Sequence, residues 1–194
     1  MWAVEECNAD IITLPLGMAR RYDSIDHALQ IAWSLKKIVF AATSNAGSNR
    51  IPSYPASDSS VIAISATNGY GNAAPFNPSP LNNRDNFATL GVDIESRWQG
   101  ETVYKSGTSF AAALAAGIAA SFLEYARWKV ELRSASDRAW ICSTDGMRSM
   151  FRLMSKSISG DRGFRYVAPW FLFNERDRDD RRIQAVILYN VLNR

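Results

Sequence analysis

Apolar residues in the first half of the chain fall into short unbroken runs with one helical stripe between them. Residues 9–17 form a β-branched run closed by Pro15 and Gly17, the pattern of a buried strand that ends in a turn. Asp23 and Ser24 are good helix N-caps, and after them Ile25, Ala28, Leu29, Ala32 and Leu35 recur at helical spacing. Lys36 and Lys37 fall in the last turn of that helix, where cations favour the helix dipole. A second buried run, Ile38-Val39-Phe40-Ala41-Ala42, follows at once. Strand, helix and strand at this spacing predict a βαβ unit, hence a parallel sheet with a right-handed crossover. A third run at residues 61–65 extends the sheet, and residues 2–7 read as the end of a helix whose beginning precedes the chain.

Further on the pattern loosens. Residues 67–86, rich in Gly, Asn and Pro, predict an irregular loop, and residues 87–104 predict short strands and turns. Thr108 or Ser109 then opens a helix of about five turns, ending near Arg127. Its alanines and Gly117 permit close packing on nearly every side, as expected of a central helix. Beyond Lys129, Met147, Met150, Phe151 and Met154 predict one amphipathic helix, and residues 183–192 predict another. Methionines at this spacing are core filling, with no cofactor box among them. The chain is therefore expected to be an α/β protein with a parallel sheet flanked by helices in three layers. Residues 1–130 would form one domain, with residues 131–194 a helical extension packed on it or trailing from it.

Composition narrows the functions open to such a fold. With 22 basic and 19 acidic side chains among 194 residues, the net charge of +3 gives no clustered cationic surface for nucleic acid. The charge run at residues 175–182 alternates in sign and reads as a solvated surface. Cys7 and Cys142 lie far apart, which argues against a disulfide framework and fits a reducing compartment. The N-terminal residues have neither the basic region nor the apolar run of a signal peptide, and the nearly apolar stretch at residues 110–123 is shorter than a bilayer requires. A soluble, cytoplasmic chain with no membrane or nucleic-acid partner is the expectation.

Two short motifs carry chemistry. In Ser106-Gly107-Thr108-Ser109-Phe110-Ala111, Ser109 stands at a helix N-terminus, beside free backbone N–H groups and in a positive local field. That position suits a nucleophile, since the same amides can stabilise an oxyanion, and it equally suits a plain helix cap. In Ala41-Ala42-Thr43-Ser44-Asn45-Ala46-Gly47, Asn45 follows the C-terminal end of a strand, the edge at which ligands gather in open α/β sheets. Its side-chain amide could donate to a carbonyl oxygen turning negative. Taken alone, Asn45 is first of all a turn residue.

Together the motifs resemble the subtilisin-like serine proteases over residues 1–130. Pro15-Leu16-Gly17 is similar to that family's Ser-Leu-Gly segment, residues 41–45 to its Ala-Ala-Gly-Asn box, and Gly107-Thr108-Ser109 to the Gly-Thr-Ser box that opens a small-residue helix. The resemblance implies that Ser109 is the acylating nucleophile of a peptide-bond hydrolase acting on peptides or proteins. It implies that Asn45 and the Ser109 backbone N–H are oxyanion donors, and that Leu16, Gly17, Ala41 and Ala42 line the substrate cleft. Two departures stand out: Ala112-Ala113 replace the family's Thr-Pro, and Pro15 replaces its Ser. Residues 131–194 resemble the tails of intracellular fungal subtilase-domain proteins. No cofactor is expected. There is no Gly-rich phosphate loop, and calcium sites, common in the family, are not assigned because no acidic cluster has loop-site spacing.

The family's triad runs in the order Asp, His, Ser, and nothing before Asn45 resembles its Asp or His box. The single histidine, His27, falls on the polar face of its helix. The expectation is a C-terminal part of a protease domain, lacking N-terminal strands that would pair beside residues 11–16, and without useful peptidase activity alone. Its missing partner would be the N-terminal half of the domain. A pseudoprotease or interaction module is the alternative. An α/β esterase does not fit, because Ala111 breaks the Gly-x-Ser-x-Gly elbow and no histidine follows the serine.

Overall fold

The computed structural model describes residues 2–132, 134–157, 163–173 and 180–194. A six-stranded sheet forms its centre. The strands are β1 (Ile11–Leu14), β2 (Ile38–Ala42), β3 (Ile62–Thr67), β4 (Phe87–Leu90), β7 (Ser155–Ser157) and β8 (Arg165–Val167), in the spatial order β1-β2-β3-β4-β8-β7. All neighbours pair in parallel except β7 with β8. A separate antiparallel hairpin joins β5 (Ile94–Trp98) to β6 (Glu101–Lys105). The helices are α1 (Trp2–Glu5), α2 (Asp23–Ser34), α3 (Thr108–Lys129), α4 (Ala135–Ile141), α5 (Thr144–Leu153) and α6 (Asp180–Leu192).

The alternation of β2 explains the layers. Ile38, Phe40 and Ala42 join a core with Ile62 and Ile64 of β3, the small residues of α3, and Met147, Met150 and Phe151 of α5. The intervening Val39 and Ala41 face a second core with Leu29 and Ala32 of α2, and with Tyr54 and Ala56. A strand buried on both faces must read as a continuous apolar run, which is why the period-two signal is absent from it. Helices on both faces of a mostly parallel sheet give the expected α/β three-layer architecture.

The structure departs from the sequence reading in several places. Asp23 is the first residue of α2 rather than its cap; the N-cap is Tyr22, with no side-chain cap bond. Helix α3 buries one face, including Ala111, Ala115, Ala119 and Phe122, while Ala113, Gly117 and Ala120 are exposed. An all-apolar composition made of alanine does not define a buried face, because a methyl group has little surface to hide. At 22 residues α3 is long enough to cross a bilayer, but it lies across β1, β2, β3 and β4 as a core helix does.

Residues beyond 130 contribute strands as well as helices. β8 pairs with β4, and Phe151 stacks on Phe40 at 5.4 Å between ring centroids, so this segment shares the main core. α4 opens on a capping box between Ser134 and Asp137, and α6 buries Ile183, Ile187 and Val191 at four-residue spacing. The charge run expected at residues 175–182 lies outside the described residues as far as 179.

Candidate active site

β1 and β2 end side by side, and the first turn of α3 meets their C-terminal ends. The chain leaves β1 through Pro15, and the Ser109 hydroxyl donates a 2.7 Å hydrogen bond to the Pro15 carbonyl. Gly107, in extended backbone, is the N-cap of α3. A Cβ on Gly107 would stand 3.1 Å from the Asn45 side-chain nitrogen, so glycine lets the helix start close against Asn45.

Asn45 is fixed from one side. Its Oδ1 accepts from the Thr108 backbone N–H at 2.9 Å and from the Thr108 hydroxyl at 3.1 Å. The Thr108 hydroxyl also accepts from the Ser44 N–H at 3.2 Å, and Thr108 itself is 1% exposed. With Oδ1 committed, the Nδ2 group is the part of Asn45 left to donate. The structure thus brings three predicted elements together: the end of β1, the turn carrying Asn45, and Ser109.

The wall residues divide. Leu16, 48% exposed, and Gly17 lie on the open rim after β1. Ala41 and Ala42, at 0% and 2% exposure, face opposite cores of the sheet. Their side chains pack into the two cores of the sheet rather than onto exposed surface.

Several residues of this region were not legible in the sequence. A side chain at position 17 would collide with the Ser53 hydroxyl, so Gly17 lies directly against Ser53. Ser53 in turn donates to the Thr43 carbonyl through both its N–H and its hydroxyl, at 2.9 and 3.2 Å. Met18 and Tyr54 exchange backbone hydrogen bonds at 2.7 and 3.2 Å. A polar clamp backs this seam. The Tyr54 hydroxyl donates to Asp26 at 2.9 Å, and Arg21 reaches Asp26 at 2.8 Å and Asp58 at 2.7 Å. The Arg21 bond, helped by Tyr54, holds the Asp26 carboxyl below the usual carboxylate range. Desolvation works against Asp58, but its bonds from Ser60 and the nearby Arg21 charge win, and its carboxyl is also lowered. Burial first, and Asp26 second, push the Tyr54 phenol up. The one signal for this seam was the Pro- and Ser-rich composition of its loop, which says turn and nothing more.

His27 is exposed on α2. The bond shown by the Ser109 hydroxyl runs to a main-chain carbonyl, which can take no proton from it.

The fold is subtilisin-like. It superposes on the prenylagaramide maturation protease PagA with a TM-score of 0.71 at 20% identity, covering 87% of this chain and 62% of that one. The protease domain of PatA gives a TM-score of 0.69 at 21% identity, covering 88% and 60%. The family model described as the subtilase family, Peptidase_S8, matches residues 1–164, and the chain belongs to that family. The match runs past residue 130 and takes in α4, α5 and β7, in keeping with the shared core.

Among bacterial relatives, the thermophilic serine proteinase of Bacillus sp. (strain AK1) is 34% identical over 134 residues, which is 69% of this chain and 33% of the relative. Thermitase of Thermoactinomyces vulgaris is 29% identical over 137 residues, 66% of this chain and 45% of the relative. The chain thus spans a third to under half the length of these relatives. Its family and fold are those of the subtilisin-like serine proteases.

Proposed function

We propose that this chain carries the nucleophile side of a subtilisin-like serine endopeptidase and cuts no peptides by itself. The observation that carries the reading is the convergence at one sheet edge of Ser109, at the start of α3, with an Asn45 amide held by Thr108. In the reaction, the Ser109 oxygen bonds to the scissile carbonyl carbon while its proton passes to a base. The carbonyl oxygen, now negative, accepts from Asn45 Nδ2 and the Ser109 N–H. Collapse breaks the C–N bond, the base returns the proton to the departing amine, and water then releases the acyl group from Ser109. Leu16 and Gly17 form the rim against which the peptide lies.

The base and the carboxylate that orients it are not supplied by these 194 residues, whose single histidine is the exposed His27. In subtilisin, loss of the His or Ser alone lowers kcat by about 10⁶-fold. A polypeptide carrying the family's Asp and His boxes is therefore the partner that would complete the site, at the edge strand β1.

A casein assay tests this. The chain alone should hydrolyse nothing above buffer, and addition of a polypeptide bearing the Asp and His boxes should produce hydrolysis that Ser109→Ala abolishes. Ser109-dependent hydrolysis by the chain alone would contradict the reading. The hydrogen bond from Ser109 to a carbonyl rather than to a base favours a second reading, an interaction module without catalysis. Partner binding with no hydrolysis in any combination would decide for it.

A further inference from the structure

We infer that Ser44 is a strained positioning residue that sets the Asn45 amide, an inference that rests on the proposed role of Asn45 as an oxyanion donor. Among the described residues, six that are not glycine have positive φ. Five of them, Asn8, Lys36, Asn83, Asp93 and Gln99, lie between 47° and 59°, in the ordinary left-handed well. Ser44 is at 115°, far outside it and in a region that favours glycine.

A strained residue persists only where its surroundings over-determine it. Around Ser44 they do. The Thr43 N–H is bonded to the Ile64 carbonyl at 3.1 Å, and the Gly47 N–H to the Phe76 carbonyl at 2.9 Å, so both ends of the turn are anchored. Inside it, the Ser44 N–H donates to the buried Thr108 hydroxyl, and the Ser44 hydroxyl accepts from the Ala46 N–H at 3.1 Å. Thr108 therefore grips two successive residues, Ser44 by its N–H and Asn45 by its Oδ1. The strained backbone at 44 is what lets one threonine reach both. The result is a donor held in place before any substrate arrives, so that it need not reorganise as charge develops.

The arrangement has its own gauge. Thr108 is the first residue of α3, and the first N–H groups of a helix have no acceptor within it. Its amide is protected by Asn45 Oδ1, so its hydrogen exchange reports how firmly Asn45 is held. Exchange is measured by NMR on the 194-residue chain and on its Ser44→Gly and Ser44→Asn variants. Ser44→Gly relieves the strain but frees the turn and removes the Ala46 clasp. It is expected to speed Thr108 N–H exchange about 2- to 10-fold, the loss of one hydrogen bond, while Ala115 and Ala119 within α3 are unchanged. Ser44→Asn keeps a β-carbon and a side-chain acceptor for the Ala46 N–H, and is expected to restore protection.

Unchanged Thr108 exchange in Ser44→Gly would overturn the inference, and so would uniform acceleration of all α3 amides. The exchange readout needs no catalysis. A wild-type chain in which no reagent modifies Ser109 would count against the proposed reaction and leave the role of Ser44 to be decided by the exchange data.

Discussion

The Ser109 hydroxyl is bonded to the main-chain carbonyl of Pro15, 94 residues earlier in the chain, at 2.7 Å. This contact joins the start of α3 to the end of β1 and keeps the serine proton on an acceptor that is not a base. In the proposed reaction this bond must be given up before Ser109 can pass its proton to a base.

Asn45 has two tasks in this account, so its removal should have two separable effects. Asn45→Ala takes away an oxyanion donor, and loss of one such donor lowers the rate of acylation about 10²- to 10³-fold. It also strips the Thr108 N–H of its acceptor, lowering stability by about 1 kcal/mol. Asn45→Asp keeps an oxygen for Thr108 and loses the donor. It should retain the unfolding midpoint while showing the same loss of rate toward a Ser109-directed reagent.

The clamp of Arg21, Asp26, Asp58 and Tyr54 predicts an acid-sensitive cleft wall. Both carboxyls are held below their ordinary value of 3.8 in the folded chain. In the unfolded chain they bind protons more readily, so their stabilisation is fully present above that value and is lost as pH falls through the lower folded values. The unfolding temperature of the wild-type chain should drop steeply below about pH 4, by the ordinary carboxylate range. In an Asp26→Asn, Asp58→Asn double variant that drop should be shallower. Parallel curves would show that the clamp does not contribute.

Phe151 ties the segment beyond residue 130 to the sheet. It stacks on Phe40 and meets Phe87 edge-on at 5.5 Å, with no exposed surface. Phe151→Ala should cost about 3–5 kcal/mol by chemical denaturation, as large buried aromatic truncations do. The loss should appear in a single transition seen by all probes. Two transitions, one of them unaffected, would mean that the segment folds separately.

How far these features could be read from the sequence depended on the range of the interaction behind them. β2 was legible because five consecutive apolar residues directly after a helical stripe have few other uses. The Met147, Met150 and Phe151 stripe was legible for the same local reason. β7 and β8 were not: Ser155-Lys156-Ser157 has no strand pattern, and it is a strand because β8 is held by β4, which lies more than 70 residues earlier. Within the site, the small-residue helix and the turn at Asn45 could be recognised as boxes. The seam from Gly17 through Ser53 to Thr43 could not, since a loop rich in Pro and Ser gives no hint of which strand end it packs against. Ala41 and Ala42 could be read as part of a box, and only the structure shows that each is buried in a different core of the sheet.

The most direct test of Ser109 as nucleophile is reaction of the purified chain with a fluorophosphonate, followed by peptide mass spectrometry. Without a base the reaction should be slow, yet binding and the oxyanion donors alone can leave about 10³- to 10⁴-fold catalysis over water. The account predicts one adduct, on Ser109, that disappears in Ser109→Ala and forms more slowly in Asn45→Ala. No adduct after prolonged exposure, or one that survives Ser109→Ala, would contradict it.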